Sequence, residues 1–209
     1  MSIELTTPGD VCKIDLSKSA ASANPTITIT LSWNDRQGGL FGKWRRRVDL
    51  DLGVFYELRD GTRNLIDALQ FADGRGGDRD QFTSQGCLTN APYIWHTGDQ
   101  RSGGNSEQIL INCAHINEIK RLVIYAFIYK GLGEWEKGDA MVNIDIPGQE
   151  PINVSLNENP SQKQFCAIAQ ININGDNTLE IKKLITFHYG HADAGTAYHW
   201  GLRYIEGTK

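Results

Sequence analysis

The chain has 209 residues and a formal net charge of −4 at pH 7. That length suits one well-filled core, and the acidic balance argues against a general nucleic-acid binder. No apolar run approaches the roughly 20 residues that a membrane-spanning helix needs, and the first residues lack the pattern of a secretory signal. We therefore expect a cytoplasmic protein. The cysteines form no CxxC pair, which favours reduced thiols at Cys12, Cys87, Cys113 and Cys166.

Most apolar runs alternate with polar residues at a period of two, which is typical of strands. In chain order the predicted strands cover residues 26–33, 49–58, 64–71, 122–129, 140–146, 152–156, 165–173 and 179–187. Short turns predict hairpins between the second and third of these strands and between the last two.

Residues 122–129 are apolar on both faces, so we predict that they form a buried central strand. Only residues 106–119 and 193–200 have helical character. Many short strands with frequent turns predict an all-β fold, an antiparallel β-sandwich with short helical connections. With no repeat or linker visible, we expect a single domain over residues 1–209.

The run Val-Asp-Leu-Asp-Leu at residues 48–52 places two carboxylates on one face of a predicted strand. Side chains alternate, so Asp49 and Asp51 point one way while the leucines point the other. Neighbouring like charges repel, and a bound cation would remove that repulsion. Because its oxygen ligands would come from loops of variable geometry, calcium is favoured over magnesium. Two other interpretations stay open: an edge strand with its polar face in water, and neutralisation by the basic residues 45–47.

A second motif, His-Thr-Gly-Asp at residues 96–99, is followed by a Gly-rich loop that contains Asn105 and Glu107. Together with the run at 48–52, it resembles the TerD domain of tellurium-resistance and stress-response proteins. The Trp-Gly-Leu-Arg sequence at residues 200–203 is more similar to the TerA branch. The resemblance extends over residues 25–205.

The resemblance implies a β-sandwich that binds calcium through Asp49, Asp51, Asp99 and Glu107. Where the family has a run of acidic residues, this chain has Ser-Gly-Gly-Asn-Ser at 102–106. Calcium affinity depends on the number of charged ligands. Three outcomes therefore stay open: a weakened calcium site, one site instead of two, or no site. The implied role is a non-enzymatic, calcium-responsive scaffold or interaction module of tellurium resistance. Its expected partners are other proteins of a stress-response complex.

Two rival functions come from other classes. A metal-dependent enzyme could use His188, His191 and His199 if they converged in a cleft. The HExxH, Gly-x-Ser-x-Gly, P-loop and GxGxxG patterns are absent, and packing of the chain's end onto the sandwich is the favoured interpretation of these residues. The other rival is a nucleotide- or sugar-binding module in which a tryptophan stacks on the ligand, with Trp33, Trp44, Trp95 and Trp135 as candidates.

Overall fold

Two facing β-sheets form the protein. The computed structural model describes residues 2–17, 25–34, 49–70, 78–98, 106–130, 135, 139–156 and 161–204. The strands are β1 (Ile3–Leu5), β2 (Val11–Asp15), β3 (Thr26–Ser32), β4 (Asp49–Leu58), β5 (Arg63–Asp67), β6 (Gly86–Cys87), β7 (Ile94–His96), β8 (Ser106–Asn112), β9 (Ile119–Lys130), β10 (Met141–Asp145), β11 (Ile152–Ser155), β12 (Phe165–Ile173) and β13 (Thr178–His188). Helix α1 spans His191–Ala197, and 3-10 helices span Ala68–Gln70 and Cys113–Glu118.

Within the described residues one sheet has seven strands, in the order β1-β11-β10-β3-β8-β7-β6. The other has six, in the order β2-β13-β12-β9-β4-β5. The predicted all-β sandwich is confirmed. Its strand pairs are antiparallel apart from β1, which lies parallel to β11.

The two sheets pack face to face because their strands alternate apolar and polar residues. In β3, Ile27, Ile29 and Leu31 are buried, while the residues between them are half-buried. Full burial of one such side chain stabilises a fold by about 1.5–3 kcal/mol. The buried apolar residues between the two sheets form one cluster, the inter-sheet core. The four cysteines are free, as the sequence predicts.

Strand β9 lies in the middle of the six-stranded sheet, between β12 and β4. Its residues Leu122 and Ile124 belong to the inter-sheet core. Val123 and Tyr125 alternate with these two residues along the strand. They face away from the inter-sheet core and are also fully buried. The predicted central strand is therefore confirmed, and its unbroken apolar run follows from cover on both faces.

The outer face of the six-stranded sheet is covered by α1 and the residues that follow it. An outer aromatic cluster lies there, made of Phe55, Tyr125, Phe127, Phe165 and Trp200. Phe55 contacts Tyr125 at 4.7 Å and Trp200 at 5.7 Å between ring centroids. Aromatic pairs at this spacing add to the stabilisation from burial. Residues 191–204 are thus packed onto the sandwich.

A buried carboxylate helps to hold that covering segment in place. Glu57, with 3% of its side chain exposed, accepts hydrogen bonds from Lys120 Nζ at 2.8 Å, Arg121 Nε at 2.6 Å and Arg63 Nη2 at 3.1 Å. Arg121 and Arg63 also donate to the backbone carbonyls of Tyr198 and His199. The ion cluster therefore links β4, β5 and β9 to the end of the chain.

The Glu57 ion cluster is expected to make stability depend on acid. Burial raises the pKa of Glu57, but hydrogen bonds from Lys120, Arg121 and Arg63 outweigh it and lower the pKa to about 2, from 4.5. A lowered pKa means that the stabilisation is present above pH 4.5 and is lost as pH falls toward 2. With Lys120 half exposed, we expect Glu57→Gln to cost about 2 kcal/mol at pH 7.

Urea unfolding of wild type and Glu57→Gln at pH 7 and pH 3 measures this effect. The gap between the two proteins should be smaller at pH 3. The exposed Glu118 on the adjoining 3-10 helix provides a control, because Glu118→Gln should change stability by less than about 0.5 kcal/mol. A gap that is unchanged at pH 3 would contradict the prediction.

Residues 106–112 form strand β8, although the sequence predicted helical character for 106–119. The strand pairs with β3 along its whole length, from Ser106 opposite Ser32 to Asn112 opposite Thr26. Its polar start hid the alternation that buries every second residue. The helical expectation is wrong here and holds only for the 3-10 helix that follows. The other predicted helical stretch, 193–200, overlaps α1.

Candidate functional site

The two aspartates of the Val-Asp-Leu-Asp-Leu run lie at the start of β4. Asp49 is half-buried and Asp51 is fully buried. Leu50 and Leu52 belong to the inter-sheet core, so alternation places the Asp51 carboxylate on the outer face of the six-stranded sheet. The pairing of β4 with β9 shifts register between Asp49 and Leu50, so a shared face for the two aspartates stays a prediction.

Glu107 reaches from β8 across to β4 in the opposite sheet. Its Oε2 accepts a hydrogen bond from the backbone N–H of Leu52 at 2.7 Å, and the residue is 1% exposed. The pairing of β4 with β5 stops at Gly53 and Asp67, so this N–H lies beyond the last β5 pair. The predicted third strand, 64–71, ends early because the 3-10 helix Ala68–Gln70 begins there. The Glu107 carboxylate accepts the hydrogen bond from Leu52 that a further residue of β5 would otherwise accept.

His96 binds the other backbone group of the same residue. Its Nε2 lies 3.1 Å from the carbonyl oxygen of Leu52, and its Nδ1 accepts from the N–H of Gly98 at 3.0 Å. Because Nδ1 accepts the hydrogen bond from Gly98, the ring proton lies on Nε2, which donates to the Leu52 carbonyl oxygen. Gln85 Nε2 donates to the His96 carbonyl at 2.9 Å. His96 is fully buried, and Nε2 is 3.7 Å from Glu107 Oε2.

This Leu52 clamp, formed by Glu107 and His96, ties together one end of the sandwich. The start of β4, the end of β7 and the start of β8 meet there. Asp99 follows directly after Gly98 and lies outside the described residues. The structure therefore brings Glu107 to the residue beside Asp51. The placement of Asp99 relative to Asp49 stays a prediction.

The predicted calcium ligands fit a metal only in part. Calcium takes six to eight oxygen ligands. No group of three or more His, Cys, Asp or Glu side chains that could hold a metal ion occurs in the described part of the chain. Glu107 approaches β4 from the inter-sheet core, whereas Asp51 faces outward. A calcium ion on Asp49 and Asp51 would therefore need further oxygen ligands.

The three histidines of the rival enzyme hypothesis have separate partners. His191 Nε2 is 2.7 Å from Asp67 Oδ2, and His188 Nε2 is 2.9 Å from Thr186 Oγ1. The backbone N–H of His199 donates to the Thr196 carbonyl at the end of α1. The set therefore does not form a shared metal site in the region that the structure describes.

One buried contact had no signal in the sequence. Asp67 Oδ2 accepts a hydrogen bond from Tyr125 Oη at 2.6 Å in addition to its contact with His191, and Asp67 is fully buried. Burial and the adjacent Asp67 charge raise the pKa of Tyr125 well above its usual value, so its hydroxyl stays a donor. His191 lies 124 positions from Asp67, which is why no local pattern could link them. The contact fastens the start of α1 to the sheet.

The tryptophans proposed for ligand stacking are mostly in the interior. Trp33 and Trp135 belong to the inter-sheet core, Trp95 is half-buried, and Trp44 lies outside the described residues. A cleft of about 260 Å³ lies at the chain's end, lined by Gly195, Thr196, His199, Gly201, Leu202 and Tyr204. No tryptophan lines that cleft.

Comparison with characterised proteins tests the resemblance that the two motifs suggested. Over 191 residues, 88% of this chain, the sequence is 32% identical to the tellurium resistance protein TerA of Alcaligenes sp.. The chain is a homologue of TerA. The match covers 52% of the Alcaligenes TerA protein. The resemblance to the tellurium-resistance family, on the TerA side, is confirmed.

A second tellurium resistance protein, TerX of Serratia marcescens, is 29% identical over 120 residues, which is 51% of this chain and 54% of TerX. The chain thus spans about half the length of the TerA and TerX relatives that it matches. No family model matches the sequence.

Solved structures support the TerD-like fold. A crystal structure of a telluride resistance protein (TerD) homologue from Streptomyces coelicolor A3(2) superposes with a TM-score of 0.53 at 12% identity, over 83% of this chain and 95% of that one. A protein of unknown function gives a TM-score of 0.55 at 8% identity, over 87% of this chain and all of that one. Identities this low establish the shared fold alone. Among the described residues of the TerA homologue, no helix is long and apolar enough to cross a membrane.

Proposed function

We propose that this TerA homologue is a calcium-responsive, non-enzymatic interaction module of tellurium resistance. Calcium would bind at the end of the sandwich that carries Asp49 and Asp51, with Asp99 supplying a further carboxylate. The bound ion would order the surrounding loops and create a surface for a protein partner.

The Leu52 clamp is the observation that carries this proposal. Asp51 is a fully buried carboxylate, and its neighbour Leu52 is held on both backbone groups by Glu107 and His96. A rigid backbone fixes the direction of the adjacent side chain, which is what a metal site needs from its supporting residues. Gly98, held by His96, leads directly into the segment that contains Asp99. The clamp thus connects both motifs of the proposed site.

The proposed site is weak because it is short of charge. Neutral residues at 102–106 stand where an acid-rich loop would supply carboxylates. Calcium affinity falls with the number of charged ligands, and sites with few of them have dissociation constants of about 10⁻⁴–10⁻³ M. We place this chain in that range.

Calcium titration tests the proposal directly. Isothermal calorimetry and amide NMR of the wild type should show one binding event near that range, with shifts concentrated around Asp49, Asp51 and Gly98. Asp49→Asn should weaken binding at least about tenfold, because it removes one of few charged ligands. Asp49 is preferable to Asp51 for this test because it is less buried.

Asp60 provides the matched control. It lies in the turn after the other end of β4, is exposed, and accepts a hydrogen bond from the Thr62 N–H at 2.8 Å. Asp60→Asn should leave calcium binding unchanged, and so should His191→Ala. Undetectable calcium binding to the wild type at 10 mM (about ten times the weakest constant expected), or tight binding that survives Asp49→Asn, would refute the proposal.

The proposed partner is another protein of the same stress response. A net charge of −4 disfavours the phosphate backbone of nucleic acids, which binds chiefly to basic surfaces. The calcium-bound form should therefore show no calcium-dependent retention of duplex DNA in a filter-binding assay. Retention that requires calcium would redirect the proposal toward a nucleic acid.

A further inference from the structure

A second polar cluster lies on the outer face of the six-stranded sheet, at the last residues of β13. Thr186 Oγ1 is 2.9 Å from His188 Nε2, and His188 Nδ1 is 3.6 Å from Asp193 Oδ2. The hydroxyl of Tyr198 is also within hydrogen-bond distance of Thr186 Oγ1. A hydroxyl, an imidazole and a carboxylate thus follow one another in the order of a nucleophile, a base and the group that orients the base.

The protonation states suit that order. Burial lowers the pKa of His188 despite the opposing effect of Asp193, so the imidazole is neutral near pH 7. A hydrogen bond from the Tyr189 N–H lowers the pKa of Asp193, which stays ionised. The carboxylate on the Nδ1 side favours a proton on Nδ1. Nε2 then carries the lone pair that faces the Thr186 hydroxyl.

The backbone is strained immediately before this cluster. Leu184 and Ile185 together oppose the single residue Ile168 of β12, which makes a β-bulge. Ile185 has φ of +46°, a left-handed conformation that is rare for a β-branched residue and costs of order 1–3 kcal/mol. Bulges occur next to active sites, where they redirect side chains. This one directly precedes Thr186.

The Thr186 side chain is exposed to solvent, although its hydroxyl contacts the hydroxyl of Tyr198 as well as His188. Thr186 is exposed, whereas His188 is 8% exposed. Strand β2 pairs with β13 from Thr178 to Lys182, and Lys183 exchanges backbone hydrogen bonds with Gly9 and Asp10, so the residues from 184 onward lie beyond this pairing. The base is sheltered and the Thr186 side chain is exposed, which is the arrangement that nucleophilic attack on an external substrate requires.

We propose that Thr186 is a nucleophile that accepts acyl groups from activated esters or thioesters, with His188 as its general base. In the step, Thr186 Oγ1 forms a bond to the carbonyl carbon while the bond from that carbon to the leaving oxygen or sulfur breaks. The hydroxyl proton moves to His188 Nε2 and then to the leaving group. Asp193 positions the imidazole, and the product is an ester on Thr186.

p-Nitrophenyl acetate is a suitable probe because its leaving group, p-nitrophenolate, is coloured. After brief exposure of the full chain, peptide mapping by mass spectrometry should find an acetyl group on Thr186. Hydroxylamine should remove it, which distinguishes a threonine ester from a lysine amide. Thr196 of α1 is the internal control, because it is also exposed but its hydroxyl donates to the Ala192 carbonyl. We expect Thr186 to react at least tenfold faster than Thr196.

His188→Gln should slow Thr186 acetylation on the order of 10²-fold, since general-base assistance contributes about 10²–10⁴-fold. Thr186→Ser should keep the reaction and Thr186→Val should abolish the ester. Equal labelling of Thr186 and Thr196 in the wild type would overturn the proposal, and this comparison does not depend on any variant folding. Undiminished labelling in a folded His188→Gln variant would also overturn it.

Discussion

Replacing Glu107 with alanine is expected to destabilise the fold by about 3 kcal/mol. The change leaves the buried N–H of Leu52 without its acceptor, which costs about 1–3 kcal/mol, and the missing side-chain atoms leave a space between the sheets. Urea unfolding followed by circular dichroism measures the loss.

Glu107→Gln separates the structural role of Glu107 from a role in calcium binding. The glutamine carbonyl oxygen can still accept from Leu52, so we expect a loss below about 1 kcal/mol. Equal destabilisation by alanine and glutamine would show that the hydrogen bond to Leu52 is not the source of the effect. If Glu107 is also a calcium ligand, Glu107→Gln should weaken calcium binding while the fold is retained. If Glu107 only supports the clamp, binding should persist.

Replacing Trp200 with alanine is expected to cost about 3–5 kcal/mol, the range for removal of a large buried aromatic residue. Trp200 is 1% exposed, packs edge-on against Phe55 and lies under the Arg121 guanidinium, 3.9 Å from the ring centroid. Loss of this ring should release the chain's end from the sheet. Thermal unfolding and amide hydrogen exchange of residues 191–204 would report the global and local effects.

Trp200→Phe is the conservative variant for this test. The indole N–H has no hydrogen-bond acceptor among the described residues, so phenylalanine gives up ring volume and no hydrogen bond. We expect it to cost less than half as much as alanine. Tyr189→Ala is the exposed control: Tyr189 is 82% exposed and contacts only the Lys163 ammonium through its ring face among the described ring contacts, so its loss should change stability by less than about 1 kcal/mol. Comparable losses for Tyr189 and Trp200 would contradict the packing argument.

Local alternation was sufficient to predict many of the strands. Strand β3, with its threonine and aliphatic residues in turn, and β4 end within one residue of their predicted limits. The hairpin of β12 and β13 follows equally from its turn residues. Alternation failed at Ser106–Asn112, because Glu107 is a charged residue in a core-facing position. Glu107 can be buried because its carboxylate accepts a hydrogen bond from a backbone N–H in the other sheet. No residue near Glu107 in the sequence indicates that contact.

The candidate sites divide in the same way. The spacing of two residues in a strand predicts a shared face for Asp49 and Asp51, and Thr186 and His188 share a face for the same reason. The approach of Glu107 to Leu52 spans 55 positions, and that of His191 to Asp67 spans 124. Such contacts depend on which strands are neighbours and on where the chain crosses between sheets.

The sequence by itself determined the all-β class, the faces of most strands, the buried central strand and the likeness to tellurium-resistance proteins. Periodicity and short motifs are properties of neighbouring residues, so they can be read without knowledge of the fold. The tertiary structure alone decided the strand order, the Leu52 clamp, the Glu57 ion cluster and the contact of His191 with Asp67. Each of these joins groups from distant parts of the chain, and only the packing of two particular sheets brings those groups within hydrogen-bond or ion-pair range.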